Sequence, residues 1–256
     1  MKRQVLALHP SLAHGGAFAP LAAQLPDVAI TAPDMMGHGR GAAWDGHSDL
    51  HSACTRDAIA QAESLMRGGG GPIDIIGHSF GATVALRVAL ERPELLRSMV
   101  LIEPVLFAAA RADGAPEYRA YAADHLLFET LMETGDLDGA AAAFQTHWGD
   151  GRAFDSLPAA TRAYIRHRLP LVAAQTGALV GDSGGLMGYL RLESCPIPAL
   201  LLRGANSPPV VAAIDRALGA RLPNVRQHIV AGAAHMLPFT HPTATAAAIL
   251  GFWQSL

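Results

Sequence analysis

Six short apolar runs rich in branched residues recur along the chain, at 5–8, 28–31, 73–76, 99–102, 199–202 and 225–230, each bounded by turn residues. The first five are almost continuously apolar, the pattern of strands covered on both faces rather than on one. Between them lie stretches with helical spacing, at about 17–25, 49–66, 81–91, 210–218 and 243–254. Strand and helix in alternation predict right-handed crossovers and a parallel sheet. The run Gly68-Gly69-Gly70-Gly71-Pro72 reads as a helix stop leading into the third strand.

The alternation lapses between about 105 and 193. That segment reads as Ala-rich helices at roughly 117–134, 137–147 and 158–174, with a further one at 186–192. A helical insertion between two parallel strands is expected to cover the carboxyl ends of the sheet, where open α/β sheets bind ligands. The chain is therefore divided into a core of 1–104 and 194–256 and a lid of 105–193.

Gly77-His78-Ser79-Phe80-Gly81 follows the third strand and opens a helix. This is the context that the G-x-S-x-G nucleophile elbow requires. A strand turning sharply into a helix displays the serine hydroxyl at the helix N-terminus, and glycines two residues either side let the chains approach. Oriented N–H groups there favour developing negative charge.

With this motif the chain resembles the α/β-hydrolase superfamily along nearly its whole length, least well in the lid. Leu8-His9-Pro10-Ser11 stands where that family has His-Gly after its third strand. Asp34-Met35-Met36-Gly37-His38-Gly39-Arg40 resembles its D-x-x-G-x-G loop, and Gly232-Ala233-Ala234-His235 the loop bearing its catalytic histidine. The resemblance implies an α/β-hydrolase fold with a mostly parallel sheet of about six strands, the 28–31 strand at one edge, and no cofactor.

A serine hydroxyl becomes an effective nucleophile when a positioned imidazole accepts its proton. His235 lies beyond the last strand on a small-residue loop, and the base comes last in this fold. His78 adjoins the nucleophile but must point away around the elbow, and His241, before Pro242, reads as a helix start. The acid departs from the usual family pattern. The expected loop, Gly204-Ala205-Asn206-Ser207-Pro208-Pro209, contains no carboxylate, and Asp215 falls two turns into the next helix. Glu103 ends the strand after the nucleophile helix, where some family branches, certain haloalkane dehalogenases among them, carry their acid. Glu103 is therefore the expected orienter of His235, with Asn206 as a neutral alternative and a Ser–His dyad as the third. For the oxyanion hole the resemblance implies the N–H groups of Phe80 and Ser11, with Leu12 in reserve. Pro10 has no N–H to give.

Composition narrows the partners. The chain has 256 residues, half of them hydrophobic and 16% charged, which excludes disorder. A net charge of −3 leaves no electrostatic footprint for nucleic acid or an anionic membrane surface. Cys54 and Cys195 stand far apart without metal-type spacing, so reduced thiols in a cytoplasm are expected. No metal motif is present. An apolar run after Lys2-Arg3 is cut short by His9-Pro10, too early for a signal peptide. Phe107, Tyr118, Tyr121, Phe128, Phe144, Trp148 and Tyr164 are assigned to the lid core, and Arg162, Arg166 and His167 to a solvated face. The function expected is hydrolysis of a small, largely apolar ester or related acyl compound by a monomer or homodimer. Alternatives are a carbon–carbon bond hydrolase of ring-fission products and a non-catalytic ligand-binding scaffold.

Overall fold

In the computed structural model, which describes residues 2–256, the six runs form one sheet. The strands are β1 (Arg3–Leu8), β2 (Val28–Thr31), β3 (Ile73–His78), β4 (Leu96–Ile102), β5 (Ala199–Gly204) and β6 (Val225–Val230). Their order is β2-β1-β3-β4-β5-β6, and every neighbouring pair is parallel.

Side chains alternate across a strand, and here the alternation assigns them to two separate cores. Leu6, Leu8, Ile73, Ile75, Met99, Leu101, Ala199 and Leu201 face one layer, with helices Leu50–Gly69, Phe80–Glu91 and Pro209–Gly219. Val5, Ala7, Ile76, Val100, Ile102, Leu200 and Leu202 face the other, against Phe18, Leu21, Ile249 and Trp253. Both faces are covered, which is why those strands read as unbroken apolar runs. At the edges the sequence reading is corrected. β2 is only half-buried along its length, and the middle of β6 is exposed, because each has a single neighbour. The glycine run ends its helix as expected, with Gly70 at φ 75°.

Two features of the sheet position the site. The chain runs from β1 to β2 in one direction and then crosses to β3 on the other side of β1. The loops leaving β1 and β3 therefore diverge and open a crevice at the carboxyl edge. Register then aligns the strand ends: His78 lies opposite Ile102, and Ile102 opposite Leu202.

Between β4 and β5 the chain forms helices Phe107–Ala112, Pro116–Glu133, Leu137–Trp148, Ala159–Ala174 and Thr176–Leu179. Three of these have a core of their own, built on Phe128, Ala140, Ala141, Phe154, Leu157, Ile165 and Leu169. Arg216–Glu117 and Arg221–Asp113 ion pairs tie this segment to the helix after β5. The helix expected at 186–192 does not form. Gly185 and Leu190 adopt φ of 63° and 53°, and Asp182 takes up the N–H groups of Leu186 and Met187 in a run of turns.

Candidate active site

Ser79 stands between β3 and its helix at φ 55°, ψ −117°, a conformation that is strained for a residue with a Cβ. The strain is held on both sides. The Ser79 N–H donates to Ile102 O at 2.9 Å, and its carbonyl accepts from Ala82 N at 3.0 Å. A Cβ on Gly77 would overlap Gly81 O and Ala82 Cα, and one on Gly81 would overlap Leu8 O. The two glycines are thus required by close backbone approach, as the elbow spacing demands.

Glu103 follows β4 directly, also at positive φ, 48°. Its N–H donates to Leu202 O at 2.9 Å, which locks it against β5. Its carboxylate is fully buried and accepts three hydrogen bonds. Oε2 takes the His235 Nδ1 proton at 2.7 Å, and Oε1 takes Gly204 N–H at 2.7 Å together with the Ser207 hydroxyl. A carboxylate only accepts, so Nδ1 of His235 is the protonated nitrogen and Nε2 is left as the acceptor. Asn206 does not take part: its side chain donates to Gly232 O at 3.2 Å, and its N–H to Ala233 O. Asp215 lies in the following helix with Arg203 at 3.6 Å, without reaching the imidazole.

The loop bearing His235 is fastened from beneath. His78 turns away from Ser79, as expected, and its Nε2–H donates to His235 O at 2.8 Å. Burial, reinforced by the neighbouring His235, holds His78 far below the usual imidazole range, so it is a neutral strut. Above, the Trp148 ring meets the His235 ring edge to face at 4.8 Å, which shields the imidazole from one side. No hydrogen bond joins Ser79 to His235 among the described residues. Such contacts are often long before substrate binds.

The oxyanion candidates sit around the same opening. Phe80 is the first residue of its helix, so its N–H has no intrahelical carbonyl to meet. After β1, Ala13 N–H closes a turn onto Pro10 O at 3.3 Å, which leaves Ser11 at the bend and Leu12 at φ 62°. His9 anchors that turn. It donates from Nδ1 to Pro10 O at 2.8 Å and accepts Met35 N–H at Nε2. Burial first, and the neighbouring His38 second, push His9 down to about 3. Asp34, from the D-x-x-G-x-G loop, organises the adjoining backbone by accepting the N–H groups of Arg40 and Gly15.

Ser11, Ser79, Asn206, Ser207 and Ala234 border one cavity of about 430 Å³, a size suited to a small organic ligand. Most of the rest of its wall comes from the segment between β4 and β5, with Pro208, Pro209 and Val210 added from beyond β5. Phe128 and Phe144 pack in that segment's own core, as assigned, while Phe107, Tyr121 and Trp148 pack on the core beneath the helices, and all five also present a surface to the cavity. Tyr164 is outside, with its hydroxyl on Ala13 O. Arg162 and Arg166 hold Asp155 O and Asp138 on the surface. Ser207, His78 and Gln175 were not picked out from sequence. Of these only Ser207 carried a signal, since it occupies the loop where an acid was sought.

Among the described residues no three His, Cys, Asp or Glu side chains converge as a metal-holding group. No helix is long and apolar enough to cross a membrane.

A mostly parallel, doubly covered sheet with a serine elbow at its carboxyl edge defines an α/β hydrolase. The chain matches the alpha/beta hydrolase family over residues 7–248 and belongs to it; it is a hydrolase. Among curated proteins it is similar to the lipase LipV of Mycobacterium tuberculosis, 29% identical over 96% of this chain and 91% of that protein. Human monoglyceride lipase is 31% identical over 48% of this chain and 41% of its own length, so that likeness spans under half of either protein. Among solved structures, a hydrolase from Oleispira antarctica shares the fold with a TM-score of 0.74 at 18% identity, covering 100% of this chain and 92% of the other.

Proposed function

We propose that the chain is a serine hydrolase of small, largely apolar carboxylic esters, working through an acyl-enzyme on Ser79. The observation that carries this reading is the shared cavity. Ser79 borders it from the elbow, and Trp148, in the same wall, packs on His235, whose Nδ1 is held by the buried Glu103 carboxylate. The similarity to lipases supports an ester as the substrate.

In this mechanism the substrate carbonyl carbon lies over Ser79 Oγ. His235 Nε2 takes the hydroxyl proton as the C–O bond forms, and Glu103 stabilises the imidazolium while holding the ring. Charge passes to the carbonyl oxygen, which meets the N–H groups of Phe80 and Ser11. Collapse breaks the bond to the alcohol, which leaves with the proton from Nε2. Water then attacks the acyl-serine with His235 again as base, releasing the acid and restoring Ser79. The 105–193 segment acts as a lid that supplies the acyl pocket and excludes bulk water.

Intact-protein mass after treatment with a fluorophosphonate tests the assignment. One adduct is expected on wild type and none on Ser79→Ala, with turnover of nitrophenyl butanoate by wild type only. An unlabelled wild type that also leaves nitrophenyl esters intact overturns it.

A further inference from the structure

Opposite the elbow, the cavity wall contains a buried polar side chain whose hydrogen-bonding capacity is only partly used. Gln175 sits at the joint between helices Ala159–Ala174 and Thr176–Leu179. Its N–H donates to Val172 O at 3.1 Å, and its carbonyl accepts from Ala178 and Leu179, so the backbone is fixed. The side-chain oxygen accepts the Ser11 hydroxyl at 2.7 Å. The amide nitrogen finds no partner among the described residues, although Gln175 is 2% exposed and borders the cavity.

A buried primary amide brings two donors, and leaving both unpaired is disfavoured enough that such groups usually mark a missing partner. Ser11 fixes the carboxamide from its oxygen end, so the orphaned nitrogen lies beside the loop that supplies an oxyanion donor in the reading above. A ligand acceptor that reached it would therefore sit close to the scissile carbonyl. The charge of the wall selects further. Glu117, paired with Arg216, and Asp124 line the cavity, His125 and His147 in the same wall face Glu129 and Asp124, and no arginine or lysine lines it, so an anionic ligand finds no free cation there.

We propose that Gln175 Nε2 donates to a second, uncharged oxygen of the substrate within a few bonds of the scissile carbonyl. The preferred substrates are then alkoxy- or oxo-substituted acyl esters rather than plain hydrocarbon ones. This rests on the serine-hydrolase reading and names the substrate class for it.

Nitrophenyl methoxyacetate and nitrophenyl butanoate differ by one oxygen in place of a methylene. Comparing each variant with wild type cancels their different intrinsic reactivity. Gln175→Leu and Gln175→Met, which fill a similar volume without an amide donor, should both lower kcat/KM. The fall on methoxyacetate should exceed that on butanoate by about tenfold or more, the scale of a buried hydrogen bond to an uncharged partner. Equal falls on both substrates, as a merely structural role gives, or no fall on either, overturn the proposal.

A binding arm is independent of turnover. In Ser79→Ala, titration with the two phenyl esters by tryptophan fluorescence should favour methoxyacetate, and Gln175→Leu should abolish that preference. Absence of a preference overturns the subsite. Fluorophosphonate labelling of Ser79 in the wild-type, Gln175→Leu and other Ser79-bearing preparations used for turnover reports separately on the serine-hydrolase reading, so its failure is not mistaken for failure of the subsite.

Discussion

Replacing Glu103 by glutamine changes one atom, and the geometry around it says where that atom goes. Oε1 faces two donors, the backbone N–H of Gly204 and the Ser207 hydroxyl, whereas Oε2 faces only His235 Nδ1. A backbone N–H cannot turn away, so the glutamine carbonyl keeps the Oε1 position and its NH₂ takes that of Oε2. There it donates to Nδ1, and the imidazole proton moves to Nε2, the nitrogen that must accept from Ser79. The variant stays folded with the wrong tautomer. By the logic of triads whose orienting carboxylate is neutralised, kcat/KM should fall by about 10³–10⁴, or roughly 4–5.5 kcal/mol of transition-state stabilisation. The assay is hydrolysis of nitrophenyl butanoate alongside the rate of fluorophosphonate labelling, with thermal unfolding as the control for structure. A folded Glu103→Gln that retains activity within about tenfold of wild type would remove Glu103 from the mechanism.

Three further outcomes are expected. Asn206→Ala should change kcat/KM by less than about threefold. Ser207→Ala, which removes one of the two donors on Glu103 Oε1, should cost about tenfold, the scale of a hydrogen bond to a charged group. The reverse ranking in the same ester assay would return the orienting role to Asn206. His78→Phe leaves the buried His235 carbonyl without its donor and should destabilise by about 1–3 kcal/mol, read as a Tm lowered by several degrees; an unchanged Tm refutes the strut. Asp215 is pushed up to about 7, by burial first and then by the Glu103 charge, with Arg203 only partly offsetting this. The unfolded carboxyl titrates near about 3.9, so between these values the native state holds the extra proton. Its contribution is complete below about pH 4 and lost as pH rises through 7. Asp215→Asn should therefore gain stability relative to wild type from pH 5 to 8 in urea unfolding, and parallel curves would contradict the assignment.

The strands were legible because both faces of the central four are covered, which leaves few polar residues in the runs; Asp74 is the exception, buried and held by Arg3, Arg97 and Ser98. All six were found, with errors of up to three residues at their ends, the largest at the start of β4. β2 stands at the edge where the resemblance placed it, and only its burial was overestimated, because a four-residue edge strand can be apolar in sequence and still half-exposed. The 186–192 stretch shows the opposite failure. Its leucines have helical spacing, and Leu186 and Leu192 are buried, but Gly185, Gly188 and the Asp182 side chain give the backbone local turns that bury them without a helix. The aromatics of the 105–193 segment were legible as inward-facing, but helical periodicity does not separate core from cavity, and residues such as Phe128 serve both. Glu103 was found through an absence, the missing carboxylate after β5. Gln175 had no comparable signal, because its partner Ser11 lies 164 residues away and only the tertiary fold joins them.

The strained backbone positions at the site have a common cause. Leu12, Ser79 and Glu103 are non-glycine residues at positive φ, and they stand just beyond the carboxyl ends of β1, β3 and β4, three adjacent strands. Each such residue costs on the order of 1–3 kcal/mol and persists only where its surroundings over-determine it. Here they do: Ser79 and Glu103 each donate their N–H to the last residue or so of the neighbouring strand, and the Leu12 turn is tied through His9 to the Met35 loop. A parallel sheet ends in carbonyls and N–H groups that point sideways, so a residue continuing past the last ladder rung can be held by the next strand while its chain turns away. That is how the sheet places a hydroxyl, a carboxylate and the Ser11 turn at one edge without relying on the flexibility of long loops. The 105–193 segment leaves the same edge just beyond β4 and meets it again through Gln175 on Ser11, Tyr164 on Ala13 and Trp148 on His235.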